Sequence, residues 1–196
     1  MKQVGRCMTF LMFVISPVPA YAASAHVHGV ASLQVAIDGD RLVLDFSSPL
    51  DNLVGFEHAP RNDKQKAAVR RMAERLHKAE LMFVPTAEAR CARSSVNLVS
   101  PVLDRALLSV DSVAKPASPE ASGGEARKGA GKPDKSGHAA LSAEIVFRCE
   151  RPGSLSGLEV DVFDAFPDLK RLDVQVAGAK RQTGAKLSPR NRRVSW

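Results

Sequence analysis

The chain has 196 residues, a formal net charge of +7, and 44% hydrophobic but only 5% aromatic residues. With a single Tyr and a single Trp, the latter at the C-terminus, it lacks the stacking platforms that bind single-stranded nucleic acid, so the positive balance does not imply that ligand. No apolar run approaches the roughly 20 residues that a membrane-spanning helix requires.

The first 25 residues have the form of a cleavable export signal. Lys2 and Arg6 precede an apolar run from Met8 to Ile15, and small residues alternate through Ala20-Tyr21-Ala22 and Ala23-Ser24-Ala25. Cleavage after Ala22 and cleavage after Ala25 both fit the pattern. Either leaves an exported mature chain of about 170–174 residues, the size of one compact domain over 26–196. Loss of Lys2 and Arg6 lowers the net charge by two, to +5. Cys7 leaves with the signal. The remaining pair, Cys91 and Cys149, lacks the C-x-x-C spacing of a structural zinc site and is expected to form a disulfide in an oxidising compartment.

From His26 to Ile37 apolar and polar residues alternate, with Gly29, Ala31, Leu33, Val35 and Ile37 on one face of a half-buried strand. Asp38-Gly39 is a two-residue hairpin signal. Taken as the loop, it pairs Val35 with Leu42, Leu33 with Leu44 and Ala31 with Phe46, and the returning strand ends near Pro49. Between Asn62 and Leu81 the period changes. Val69, Met72, Leu76 and Ala79 recur at three- and four-residue steps, as in an amphipathic helix capped by Asn62 or Asp63, with His77 toward the solvent. Strands follow at Cys91 to Val99 and at Ala106 to Val113.

Lys115 to Gly137 contains no apolar residue larger than Ala and is expected to be a flexible loop. Alternation resumes at Leu141 toward Cys149, then at Leu158, Val160 and Val162. Further strands are expected at Leu172 to Val176, Ala185 to Leu187 and Arg193 to Trp196. One helix and about eight strands make an α+β domain of mainly antiparallel strands. The C-terminal basic group, Lys180, Arg181, Lys186, Arg190, Arg192 and Arg193, reads as solvation of a strand edge. Asp161, Asp164 and Asp168 read as solvated acids in a turn-rich stretch.

The chemistry is concentrated near the start of the mature chain. His26 and His28, two apart on a strand, send their imidazoles from one face about 7 Å apart. Neutral imidazole suits zinc, copper and nickel. The turn through Asp51-Asn52-Leu53 can return Glu57 and His58 to the same end, giving a three-His, one-Glu set of zinc type or three ligands with an open position. The spacing also admits a plainer reading, in which His28 faces solvent and Glu57-His58 beside Pro60 only leads into the helix. If cleavage follows Ala25, a free amine with His28 in third position chelates Cu(II) in a square plane, so copper is the alternative ion. Enzymatic signatures are missing: there is no G-x-S-x-G and no H-E-x-x-H, and Ser48 and Ser195 lack a nucleophile context. Gly123-Gly124 precedes no strand-to-helix turn. A non-enzymatic protein is expected, with a small metallohydrolase as the catalytic alternative.

These residues resemble the ZrgA family of periplasmic zinc-uptake proteins of Gram-negative bacteria. The resemblance is carried by His26-Val27-His28-Gly29 before the Asp38-Gly39 hairpin, by Ser48-Pro49-Leu50, and most specifically by Asn52-Leu53-Val54-Gly55-Phe56-Glu57-His58-Ala59-Pro60. The two cysteines flanking a central loop, Phe163 with Phe166-Pro167, Val174-Gln175-Val176 and Leu187-Ser188-Pro189 extend it over nearly the whole mature chain. It implies periplasmic zinc binding, regulated by zinc scarcity and coupled to high-affinity uptake, with a zinc importer or its binding protein as partner. Family members often carry a dense His and Asp tract between the cysteines. Here that loop is rich in Lys, Gly and Ala, with only His138 at its edge, which disfavours a multi-site zinc sponge and returns any zinc role to His26, His28, Glu57 and His58. The competing expectation is an envelope structural or protein-interaction module in which the histidines are incidental.

Overall fold

Val30 to Pro49 fold as a hairpin, β1 (Val30–Asp38) and β2 (Arg41–Pro49), in a computed structural model that describes residues 28–109, 139–178 and 182–196. The expected signal segment with His26, the 115–137 loop, His138, Lys180 and Arg181 lie outside the described residues. The hairpin loop is Gly39-Asp40, one residue later than the sequence suggests, and Gly39 takes φ +58°. Glycine enters that left-handed region without a Cβ penalty. Leu33 therefore faces Phe46 and Val35 faces Leu44, each partner two positions from the expected one. Because the displacement is even, the same side chains still point to the core.

A one-turn helix, α1 (Asp51–Val54), leads to α2 (Asp63–His77). Asn62 caps α2, its side-chain oxygen accepting the Gln65 N–H at 2.9 Å. Val69, Met72, Ala73 and Leu76 form the buried stripe. The helix ends earlier than expected, and Ala79–Leu81 is a separate 3-10 turn. His77 is half-buried rather than free in solvent, donating from Nε2 to the Leu108 carbonyl at 2.8 Å.

Further along are β3 (Phe83–Pro85), β4 (Cys91–Val99), α3 (Arg105–Leu108), β5 (Ala140–Cys149), β6 (Gly157–Val160), α4 (Val162–Ala165), β7 (Arg171–Ala177), β8 (Gln182–Leu187) and β9 (Arg193–Ser195). The strand expected at Ala106 to Val113 is a helical turn where it is described. The Asp104 carboxylate accepts the Ala106 N–H at 3.0 Å, and this cap overrides an alternation only four residues long. At α4 the strand alternation likewise stops at Val160.

Six strands form one sheet in the order β4-β5-β2-β1-β7-β8, and β3-β6-β9 form a second. Every pair in the two sheets is antiparallel except β1 with β7, so the α+β, mainly antiparallel architecture holds. Leu33, Leu44, Phe46, Ile145, Phe147 and Val174 share a core with the buried stripe of α2 and with Phe83, Leu158 and Val160 of the smaller sheet. Phe46 and Phe83 join the two sheets, their rings 6.0 Å apart and tilted by 59°. On the opposite face a polar row, Gln175, Gln34, Asp45, Glu144 and Asn97, crosses five neighbouring strands. No helix among the described residues is long and apolar enough to cross a membrane.

Cys91 and Cys149 sit opposite each other where β4 and β5 pair, and they are joined by a disulfide over a sequence separation of 58. Loop-closure entropy assigns such a link about 4 kcal/mol. Replacing both cysteines by serine should lower the unfolding free energy by about that amount in urea titration; an unchanged midpoint would show that the denatured chain is not constrained by the link.

Candidate metal centre

The start of β1 is fixed by a buried side chain that sequence periodicity does not reveal. Asn52, in α1, is 2% exposed. Its side-chain oxygen accepts the Gly29 N–H at 2.7 Å, and its amide nitrogen donates to the Val30 carbonyl at 3.1 Å and to Ser48 Oγ at 3.2 Å. On the other side, the Gly29 carbonyl accepts the Lys170 and Arg171 N–H groups at 2.7 and 2.9 Å. Gly29 has φ +77°, a conformation that favours glycine, and a Cβ there would lie 3.1 Å from Lys170 Cγ, so that side chain would have to shift.

This clamp delivers His28 beside Asp51. His28 Nδ1 lies 2.9 Å from Asp51 Oδ2, with side-chain exposures of 74% and 38%. A carboxylate only accepts, so Nδ1 carries the hydrogen, and in the neutral ring Nε2 is left with a free lone pair. After α1 the chain turns at Gly55, φ +79°. Phe56 then stacks on His58 with centroids 5.0 Å apart. His58 Nδ1 donates to the Ala59 carbonyl at 2.8 Å, which leaves its Nε2 as the available nitrogen too. Glu57 is half-buried and is itself held by an interaction.

Of the four candidate ligands, His28, Glu57 and His58 are described and His26 is not. Among the described residues no group of three or more His, Cys, Asp or Glu side chains gathers to hold a metal. The contact that is formed, His28 with Asp51, involves a residue that the sequence reading treated only as part of a turn. Its one sequence signal is position: Asp51 lies between the strand-ending Pro49 and the Asn52-to-Pro60 run most specific to the family resemblance.

The acids read as solvated surface are partly engaged. Arg192 donates to Asp161 at 3.1 Å and to both oxygens of Asp164, joining the C-terminal strand to the α4 turn. The hydrogen-bonded Arg192 guanidinium holds the Asp164 carboxyl below its ordinary value, and the carboxylates of Asp164 and then Asp161 push Arg192 up in turn.

The family model of the ZrgA family zinc uptake proteins matches residues 25–196. No curated protein gives a significant match to the chain.

Replacing Asn52 by Leu strands the buried Gly29 N–H, and loss of that partner should destabilise the fold by about 1–3 kcal/mol. Urea titration of the Leu variant against the wild type checks this. A wild-type midpoint for the Leu variant would show the clamp to be dispensable. The Arg192–Asp164 pair predicts an acid dependence. Because the folded value is the lower one, its stabilisation is complete above the ordinary aspartate value of 3.8 and is lost as pH falls through the folded value. Arg192→Ala should therefore flatten the fall in stability below that pH; an identical acid limb in both proteins would exclude the pair as a contributor.

Proposed function

Because the chain belongs to the ZrgA family of zinc uptake proteins, we propose that it is a non-enzymatic zinc-binding protein of the periplasm that captures Zn²⁺ at the N-terminal edge of its core and supplies it for import. The ion is cargo, handed to a zinc importer or its binding protein. The observation that carries this reading is His28: an exposed imidazole whose Nδ1–H is taken by Asp51, so that Nε2 is free for a metal. His26, two residues earlier, supplies the second imidazole, and Glu57 and His58, not gathered with His28 in this structure, complete the shell by moving onto the ion. The disulfide supports an exported setting, since such links persist in oxidising compartments. The histidine-poor 115–137 segment favours one site per chain over many.

A second reading has one observation in its favour. The polar row across the larger sheet, Gln34, Asp45, Glu144, Asn97 and Gln175, is exposed, as a protein-binding face of an envelope module would be. A partner recovered equally with and without chelator would favour that module.

Calorimetric titration of the secreted, chelator-stripped protein should show one Zn²⁺ per chain with a Kd in the range of about 0.1–10 μM. Affinity should weaken in acid, because protons compete with the metal for imidazole nitrogen. Unchanged affinity in the His26→Ala/His28→Ala double variant would reject the assignment. Copper that binds more tightly than zinc, and only after cleavage at Ala25, would transfer it to the free N-terminus.

A further inference from the structure

Asp51 stands outside the four candidate ligands, yet it is the acidic side chain that meets His28. We propose that Asp51 is the positioning carboxylate of the zinc site, accepting the Nδ1–H of His28 and so fixing the ring orientation and the tautomer in which Nε2 binds the ion. This role rests on the zinc reading above and adds to it a residue that never needs to touch the metal.

Three features of the geometry lead there. First, His28 is 74% exposed, so packing does not hold its ring; the 2.9 Å bond to Asp51 does. Second, the acceptor is charged. His58 gives its Nδ1–H to the carbonyl of the adjacent Ala59, whereas His28 gives its own to a carboxylate 23 residues away. A charge-assisted bond is stronger than a neutral one, and a carboxylate behind an imidazole raises the basicity of the ligating nitrogen. Third, the pair is braced by its neighbours. Gly29, next to His28, donates to Asn52, next to Asp51, at 2.7 Å. The Asp51 carbonyl is in turn bonded by the Gly55 N–H at 2.9 Å, closing α1. Two adjacent cross-chain bonds, one buried and one exposed, thus align residues 28–29 with 51–52. The buried one sets the backbone, and the exposed one aims the ring.

The experiment is zinc calorimetry on the secreted protein, paired with imidazole ¹⁵N NMR on its metal-free form. Asp51→Ala should weaken zinc binding about 10–100-fold, the cost typical of removing the partner behind a metal-bound histidine. Asp51→Asn, which keeps an oxygen acceptor but lacks the charge, should recover part of that loss. Without metal, the wild type should show the hydrogen on His28 Nδ1, and Asp51→Ala should move it toward Nε2, a shift that a purely structural role for Asp51 would not produce. Wild-type affinity in Asp51→Ala together with weakened binding in His28→Ala would overturn the role of Asp51 alone. An Asp51→Asn variant as weak as Asp51→Ala would overturn it as well, placing the carboxylate on the metal. Unchanged affinity in His28→Ala would remove the zinc assignment itself and this role with it. Thermal unfolding of each variant separates loss of fold from loss of site, and Asp51→Asn stands in if Asp51→Ala does not fold.

Discussion

The peptide of Gly29 is gripped from two sides, and the placement of everything near the candidate site depends on that grip. Asn52 accepts its N–H while Lys170 and Arg171 donate to its carbonyl. The residue lies at the entry to β1, which pairs antiparallel with β2 and parallel with β7. One peptide therefore ties the hairpin, the α1 turn and the strand that returns late in the chain. A side chain at this position would be held in an unfavourable left-handed backbone and would need the Lys170 side chain to give way. The polar clamp is buried with its groups partnered, the condition under which burial of an amide is not a penalty.

The clamp also explains why the candidate chemistry sits at a rim and not in the interior. One face of the larger sheet is taken up by the hydrophobic core, the other by a solvated polar row. The end of β1 is where the chain emerges from both, and His28 follows the clamp outward by a single residue. For the zinc capture and release proposed above, an accessible edge with preset imidazole tautomers is chemically suited.

Much of the architecture was legible from residue patterns because those patterns record burial. Alternation marked β1, β2, β5 and β7, since each presents one face to the core. The three- and four-residue steps from Val69 to Leu76, with Asn62 ahead of them, marked α2. The hairpin loop was misplaced by one residue, yet the core face survived because the resulting pairing offset is even. Patterns failed where a segment is short. Four residues at Arg105–Leu108 fit strand and helix alike until the Asp104 cap is seen, and β3 is only three residues long. The parallel pairing of β1 with β7 joins segments some 140 residues apart, and no local signal encodes it.

From the order of its residues alone, this protein was determined to be an α+β chain of mainly antiparallel strands, with two cysteines suited to a disulfide and an imidazole-bearing segment ahead of its first strand. Hydrophobic period, cysteine number and residue chemistry are local or countable properties, so they survive without coordinates. Folding alone decided that Asn52 is buried, that Gly29 takes a conformation that favours glycine, and that Asp51 stands behind His28. Those facts arise from contacts between segments 23 residues or more apart, and a hydrogen bond across that distance exists only once the chain has closed on itself.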